Sequence, residues 1–244
     1  MTAADRLVDV TERPVTLLQK GALLEYFSLS EIAYKRIKDA ILKHEIVPGQ
    51  RLSHEELVLR LKISQTPIRE ALSRLAQEGY VTRLTNRGYR VSEMTAAEVA
   101  ELFDVRHALE SHCLNEAIQK ITADGLSALE GNIKSYKKAI AGNAALIDRY
   151  LINKNFHMII AEIAGNRAIA RILDDACEKL VLKRRIEGVS HGGFVISREH
   201  SEILKAIKRK DVKKSQDLMR IHLDGVKGTL LKQIETRAQV ARSR

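Results

Sequence analysis

The segment Ser64-Gln65-Thr66-Pro67-Ile68-Arg69 gathers, at the front of one candidate helix, side chains able to read a DNA groove. Glutamine pairs through two hydrogen bonds with adenine N6 and N7, serine and threonine hydroxyls serve phosphate or either base, and arginine reaches guanine or phosphate. Further along, Arg87 and Gly88 stand at the tip of a candidate hairpin, where arginine suits the phosphate backbone or an adjacent narrow minor groove. Taken by themselves, Arg69 and Arg74 fit equally well on the solvated face of an amphipathic helix.

Charge bears on that choice. From Arg60 to Arg90 the bases are Arg60, Lys62, Arg69, Arg74, Arg83, Arg87 and Arg90, against only Glu70 and Glu78. The excess falls on the helix and hairpin that would face phosphates, in a chain of formal net charge +10. The 244 residues suffice for one large or two ordinary domains, and 45% apolar content can fill a core. With 4% aromatic residues, no Trp and three Pro, helices should dominate. No apolar run reaches the roughly 18 residues of a membrane span, and residues 1–30 carry acids unlike a secretory signal, so the cytoplasm is the expected compartment. Cys113 and Cys177 have no cysteine neighbour at metal-ligand spacing and read as buried free thiols.

The elements that must position the reading groups follow from periodicity and capping. Residues 1–28 lack periodicity and form an arm. Ser30 is placed as the cap of a helix carrying Ala33, Ile37, Ala40 and Ile41, which ends near Lys43 or His44. A turn at Pro48-Gly49 leads to Ser53, the cap of a short second helix with Leu57, Leu59 and Leu61. In the third helix Thr66 caps, Pro67 takes the first helical position, Ile68, Ala71, Leu72 and Leu75 form the apolar stripe, and Gly79 stops it. YVTRL, NRG and YRV then form a small hairpin.

Three short helices and a hairpin over 29–94 are the order of a winged helix-turn-helix, whose third helix enters the major groove. From 95 onward no strand is expected. Thr95-Ala-Ala-Glu98 is a capping box opening a long helix. Further helices are expected over about 123–141, 145–164, 167–187, 197–209 and 211–234, with a loop at 188–193 and a basic tail at 235–244. The fold class is thus mainly α: a winged helix-turn-helix with a β-hairpin wing, then an all-α bundle over 95–234, joined around Val91–Met94 by almost no linker.

The run from Pro48 to Val91 resembles the DNA-binding domain of the GntR family of bacterial transcription regulators. It shares the family's PG-x-x-L, then S-x-T-P-[VI]-R-E-A-L-x-x-L, then a glycine, then a wing ending R-G. The resemblance implies a double-stranded DNA operator, pseudo-palindromic and bound by a homodimer. Two positions depart from the pattern. Gln65 replaces the commoner Arg, which shifts the expected base preference from guanine toward adenine. Lys62 replaces the usual Gly before the Ile-Ser turn.

Behind it, DVRHALE (104–110), NKNFH (153–157), AGN (164–166), REHSEILKAIKRKD (198–211) and MRIHL (219–223) resemble the FCD effector domain of the FadR-type branch. There, histidines from three helices and a carboxylate one turn before the first of them converge on a divalent metal. The matching positions are Asn153, His157, His200 and His222. Asn153 and His157, at i and i+4, share one helix face. Asn in place of Asp offers a neutral oxygen, which lowers metal affinity and raises the site's charge by one unit. Three imidazoles and an oxygen suit zinc or nickel better than magnesium or calcium. Arg106 matches a position facing the same cavity, where it would clamp the carboxylate of a small organic-acid effector; an ion pair with Glu110 at i+4 is the alternative.

The implied function is that of a transcriptional regulator, a repressor, under the control of a carboxylate metabolite. A metal-dependent enzyme built on the same histidines is the rival reading, disfavoured because no carboxylate stands at a recognisable distance as general base. A non-specific architectural DNA binder would explain the charge and leave the histidines unused.

Overall fold

Residues 28–85, 88–183 and 192–242 are described by the structure, a computed structural model. The order is α1 (Leu29–Leu42), β1 (Arg51–Leu52), α2 (His54–Leu61), α3 (Gln65–Gln77), β2 (Val81–Leu84) and β3 (Gly88–Val91). It continues as α4 (Ala96–Lys120), α5 (Ala123–Ala141), α6 (Leu146–Ala164), α7 (Arg167–Leu182), α8 (Gly193–Lys208) and α9 (Val212–Arg242). A winged helix-turn-helix followed by an all-helical bundle is the observed architecture. Except for Ser28, the stretch read as an arm lies outside the described residues.

In the first domain the caps differ from expectation in two places. α1 starts earlier because Ser28, not Ser30, accepts from the Glu31 amide at 3.2 Å, while the Ser30 hydroxyl bonds that of Ser28 at 2.9 Å. α3 starts at Gln65 behind Ser64, so Thr66 lies within the helix rather than capping it. Pro67 is tolerated there because first-turn N–H groups have no acceptor inside the helix. Ser53 caps α2 as expected, accepting from the Glu56 amide at 3.1 Å. Lys62 closes α2 at φ 54, a left-handed conformation that costs a side-chain-bearing residue roughly 1–2 kcal/mol. The departure at Lys62 therefore strains the turn without unmaking it.

Ile68, Ala71, Leu72 and Leu75 are buried in one cluster with Ala33, Tyr34, Ile37 and Ile41 of α1, which fixes the opposite face of α3 toward solvent. The wing carries a third strand that the sequence did not reveal. β1 pairs antiparallel with β3, giving the order β1-β3-β2, with Leu52 opposite Tyr89 and Arg51 opposite Arg90. That extra strand explains Gly88. Its φ is +77, and a Cβ there would lie 2.5 Å from the Leu52 carbonyl oxygen.

In the bundle, Thr95 and Glu98 form the expected reciprocal capping box. α4 packs against α6, α7 and α9, and Phe103 and Leu114 share its core with Phe156, Leu173 and Ile203. α7 is followed through Leu182, and most of the expected loop falls among residues 184–191, outside the described residues. α8 begins at Gly193 rather than 197. α9 runs on to Arg242, so the stretch read as a basic tail is helical over most of its length. Among the described residues no helix is long and apolar enough to cross a membrane.

The two domains meet on α7. The Met94 amide donates to the Lys183 carbonyl at 3.1 Å, and His44 Nε2 lies 3.4 Å from the Val181 carbonyl. Lys38 of α1 pairs with Glu178 at 2.6 Å. Tyr80, which follows the α3 stop at Gly79, donates its hydroxyl toward Asp175 at 3.1 Å and Glu178 at 3.3 Å.

Candidate metal centre and nucleic-acid face

His157 on α6, His200 on α8 and His222 on α9 are all buried, and one ring nitrogen from each lies within 4.8 Å of the others. Three separate helices thus deliver three imidazoles to one point, as the spacing along the chain could not show. The rings are held from behind. Glu110 on α4 places Oε2 2.6 Å from His157 Nδ1, and Glu199 on α8 places Oε2 2.8 Å from His222 Nδ1. A carboxylate facing Nδ1 accepts a hydrogen bond from Nδ1–H, which keeps the proton on that nitrogen and leaves the Nε2 lone pair free to ligate. His200 is held instead by stacking on Phe156, ring centroids 3.8 Å apart and planes 10° off parallel.

Burial keeps the His157 and His200 rings uncharged. It drives His157 down to about 4 against the pull of Glu110, and holds His200 well below the ordinary histidine value, with His222 and His157 adding to the effect. Glu110 is the converse case. Burial alone would raise it, yet Arg106 and His157 bring it down to about 2, a carboxylate charged throughout the physiological range.

The Nε2 atoms of His157 and His222 and both nitrogens of His200 are buried with no hydrogen-bond partner among the described residues, and so is Asn153 Oδ1. Orphaned polar atoms in a core cost on the order of 1–3 kcal/mol each unless something binds them. Three imidazoles with open ring nitrogens at one point fit a site for a first-row divalent ion, and Asn153 lies one turn before His157 on α6.

Asn153 shares with His157, Arg106, Lys154 and Cys177 a cavity of about 40 Å³. Of the two alternatives for Arg106, the ion pair is formed: Nε bonds Glu110 Oε1 at 2.7 Å, both residues buried. Its Nη2 is buried with no hydrogen-bond partner among the described residues, open to a ligand. Glu110 and Glu199 are carboxylates beside the imidazoles that the sequence reading did not place there. Both touch the Nδ1 side, where they orient ligands rather than serve as bases. Glu110 could be read from the sequence only as the i+4 partner of Arg106; its reach across to α6 could not.

On the first domain, Ser64, Gln65, Thr66 and Arg69 are all exposed along the first turns of α3. Arg69 makes no ion pair among the described residues. Arg74, by contrast, has the bland role: it bonds Glu31 at 2.6 Å and Glu78 at 3.0 Å and lies over the Tyr34 ring at 3.8 Å, tying α3 to α1. Gly88 is fixed by its packing on β1, and Arg87 lies outside the described residues. The register adds Arg51, which sits exposed and directly opposite exposed Arg90. Like charges paired across strands are unfavourable by themselves and are relieved by a polyanion.

Comparison with known proteins agrees with this division. Residues 29–91 match the family described as bacterial regulatory proteins, gntR family, and residues 101–225 match the FCD domain. The HTH-type transcriptional regulator YdhC of Bacillus subtilis (strain 168) is 24% identical over 78% of this chain and 86% of its own length. The HTH-type transcriptional repressor RspR of Escherichia coli (strain K12) is 27% identical over 79% of this chain and 85% of its own. Among solved structures, E. coli McbR/YncC superposes with a TM-score of 0.71 at 19% identity, covering 84% of this chain and 98% of that one.

Proposed function

Because this chain belongs to the GntR family of bacterial regulatory proteins and carries an FCD domain, it is a DNA-binding transcriptional regulator and not an enzyme; we propose that it is a repressor released or retained by a small carboxylate bound in its helical domain. The observation that carries the effector reading is a set of orphaned buried donors and acceptors: the imidazoles of His157, His200 and His222 at one point, and Asn153 Oδ1 and Arg106 Nη2, whose residues line one small cavity with His157. Repression is supported by the name of the E. coli relative RspR.

His157, His200, His222 and Asn153 would hold the ion, zinc or nickel by donor type. When bound, such an ion supplies a Lewis-acidic seat for one carboxylate oxygen. The protein's own residues do the rest. Glu110 and Glu199 hold Nδ1–H of two imidazoles so that Nε2 points inward. Asn153 contributes an uncharged oxygen, which leaves the chamber one unit more positive than an Asp would and favours an anion. Arg106 keeps its charge through Glu110 and presents Nη2 to the same anion.

At the other end, Gln65 and Arg69 would read base edges while Ser64, Thr66, Arg87 and the Gly88 backbone position the wing and helix on phosphate and sugar. A two-fold homodimer would set two such helices on successive major-groove faces of a pseudo-palindrome. Calorimetry of the zinc-loaded protein with a panel of organic acids, repeated on His157→Ala, tests the reading. Loss of binding in the variant is expected, and equal binding in both proteins refutes a site built on the imidazoles. Anisotropy on DNA flanking the gene, with and without the bound acid, tests control of the operator.

A further inference from the structure

Lys154 follows Asn153 on α6 and lines two spaces at once: the 40 Å³ chamber and the cleft of about 740 Å³ between the bundle and the reading domain. Its ammonium is bound to two carboxylates of α7, Asp174 at 2.7 Å and Glu178 Oε1 at 3.3 Å. Glu178 turns its other oxygen to the reading domain, pairing with Lys38 at 2.6 Å and accepting from the Tyr80 hydroxyl at 3.3 Å. Lys38 lies over the Tyr80 ring, 4.7 Å from its centroid. One carboxylate is therefore shared between a cation of the chamber wall and two groups that seat α1 and the end of α3 on α7. The side chains of Lys154, Glu178 and Lys38 are only 15%, 17% and 23% exposed, so their mutual attraction is screened less than that of a surface pair.

Charge and geometry decide which cation an anion in the chamber would recruit. Arg106 is committed through Nε to Glu110 and has one open donor atom, Nη2. Lys154 carries a compact charge on a flexible stem, and its contact to Glu178 is the longer of its two. We propose that Lys154 is a second carboxylate-binding residue of the chamber, and that its transfer from Glu178 to the bound anion carries occupancy to Lys38 and Tyr80. Two separated cations, Arg106 and Lys154, select a dicarboxylate over a lone carboxylate. The ligand half of this proposal rests on the carboxylate reading above; the Lys154–Glu178–Lys38 sharing does not.

The test uses zinc-loaded full-length protein, with malonate as the dicarboxylate probe and acetate as its one-headed counterpart. Lys154→Met is expected to weaken malonate about tenfold while acetate stays within about twofold, since one charged contact is removed. Glu178→Gln is expected to bind malonate within about twofold of the parent while the malonate-dependent change in operator affinity falls below about twofold. A Lys154→Met protein that binds malonate like the parent, or a Glu178→Gln protein with the parent's full operator response, overturns the proposal. A ligand-free arm measures urea unfolding of Lys38→Met, Lys154→Met and the double variant. Sharing of Glu178 requires a coupling of about threefold or more in the unfolding constant, and additive effects overturn it. Coupling found in a parent that binds no carboxylate would refute the function proposed above and the ligand half here, while establishing the shared carboxylate. Lys154→Gln serves if the Met variant does not fold.

Discussion

Replacing Glu110 by Gln should be among the most damaging single changes in the bundle. The carboxylate is buried, 2% exposed, and serves Arg106 through one oxygen at 2.7 Å and His157 through the other at 2.6 Å. Glutamine keeps the shape and one acceptor but removes the charge, leaving the Arg106 guanidinium uncompensated in a core. Breaking a buried pair from one side typically costs about 3–5 kcal/mol, whereas replacing both partners by apolar groups of similar volume is close to neutral. Glu110→Gln is thus expected to lose about 3–5 kcal/mol, and Arg106→Met/Glu110→Met to recover most of that. For a unit of this size the loss lowers Tm by roughly 6–20 °C. Urea and thermal unfolding followed by circular dichroism at 222 nm, in chelator so that no metal contributes, would measure it. A Glu110→Gln protein within about 1 kcal/mol of the parent, or a double variant as unstable as the single, refutes the reasoning. Zinc affinity offers a second readout: with His157 Nδ1 released, it should fall about 10- to 100-fold.

Two further outcomes are expected. Gly88→Ala must accept φ +77 and a 2.5 Å contact with a backbone oxygen, so it should cost at least about 2 kcal/mol and detach β1 from the wing; unchanged urea stability and operator binding would contradict this. Acid should weaken the α1–α7 docking: burial tends to raise Glu178, yet Lys38 and Lys154 hold it below the ordinary value of 4.5. A lowered carboxyl stabilises fully above its unfolded value and loses that contribution as pH falls through its folded one, so the loss develops below pH 4.5. Glu178→Gln should show a shallower fall in unfolding free energy as pH drops below about 4.5, and a slope equal to the parent's there would count against the assignment.

The reading helix was legible because its apolar stripe, Ile68, Ala71, Leu72 and Leu75, has a single helical solution, which leaves Gln65, Thr66 and Arg69 outside. Its first residue was not, because Pro67 is compatible with more than one position in a first turn. β1 escaped notice because two residues carry no periodicity, and its pairing depends on a partner strand far along the chain. Asn153 and His157 could be put on one face from spacing alone. The convergence of His200 and His222 required the bundle, and the carboxylates behind the rings required contacts from α4 to α6 and from α8 to α9. Local rules fixed which way each helix faces, and long-range packing decided what each side chain meets.

Tyr80 leaves a constraint on anyone who would recombine these modules. Its ring is almost wholly enclosed, and its hydroxyl ends on two acids of the neighbouring module. A hybrid sensor made by grafting another DNA reader ahead of residue 95 would inherit Asp175 and Glu178 without the hydroxyl that bridges them to the reader. Successful shuffling should therefore move the tyrosine and its two acceptors as one cassette.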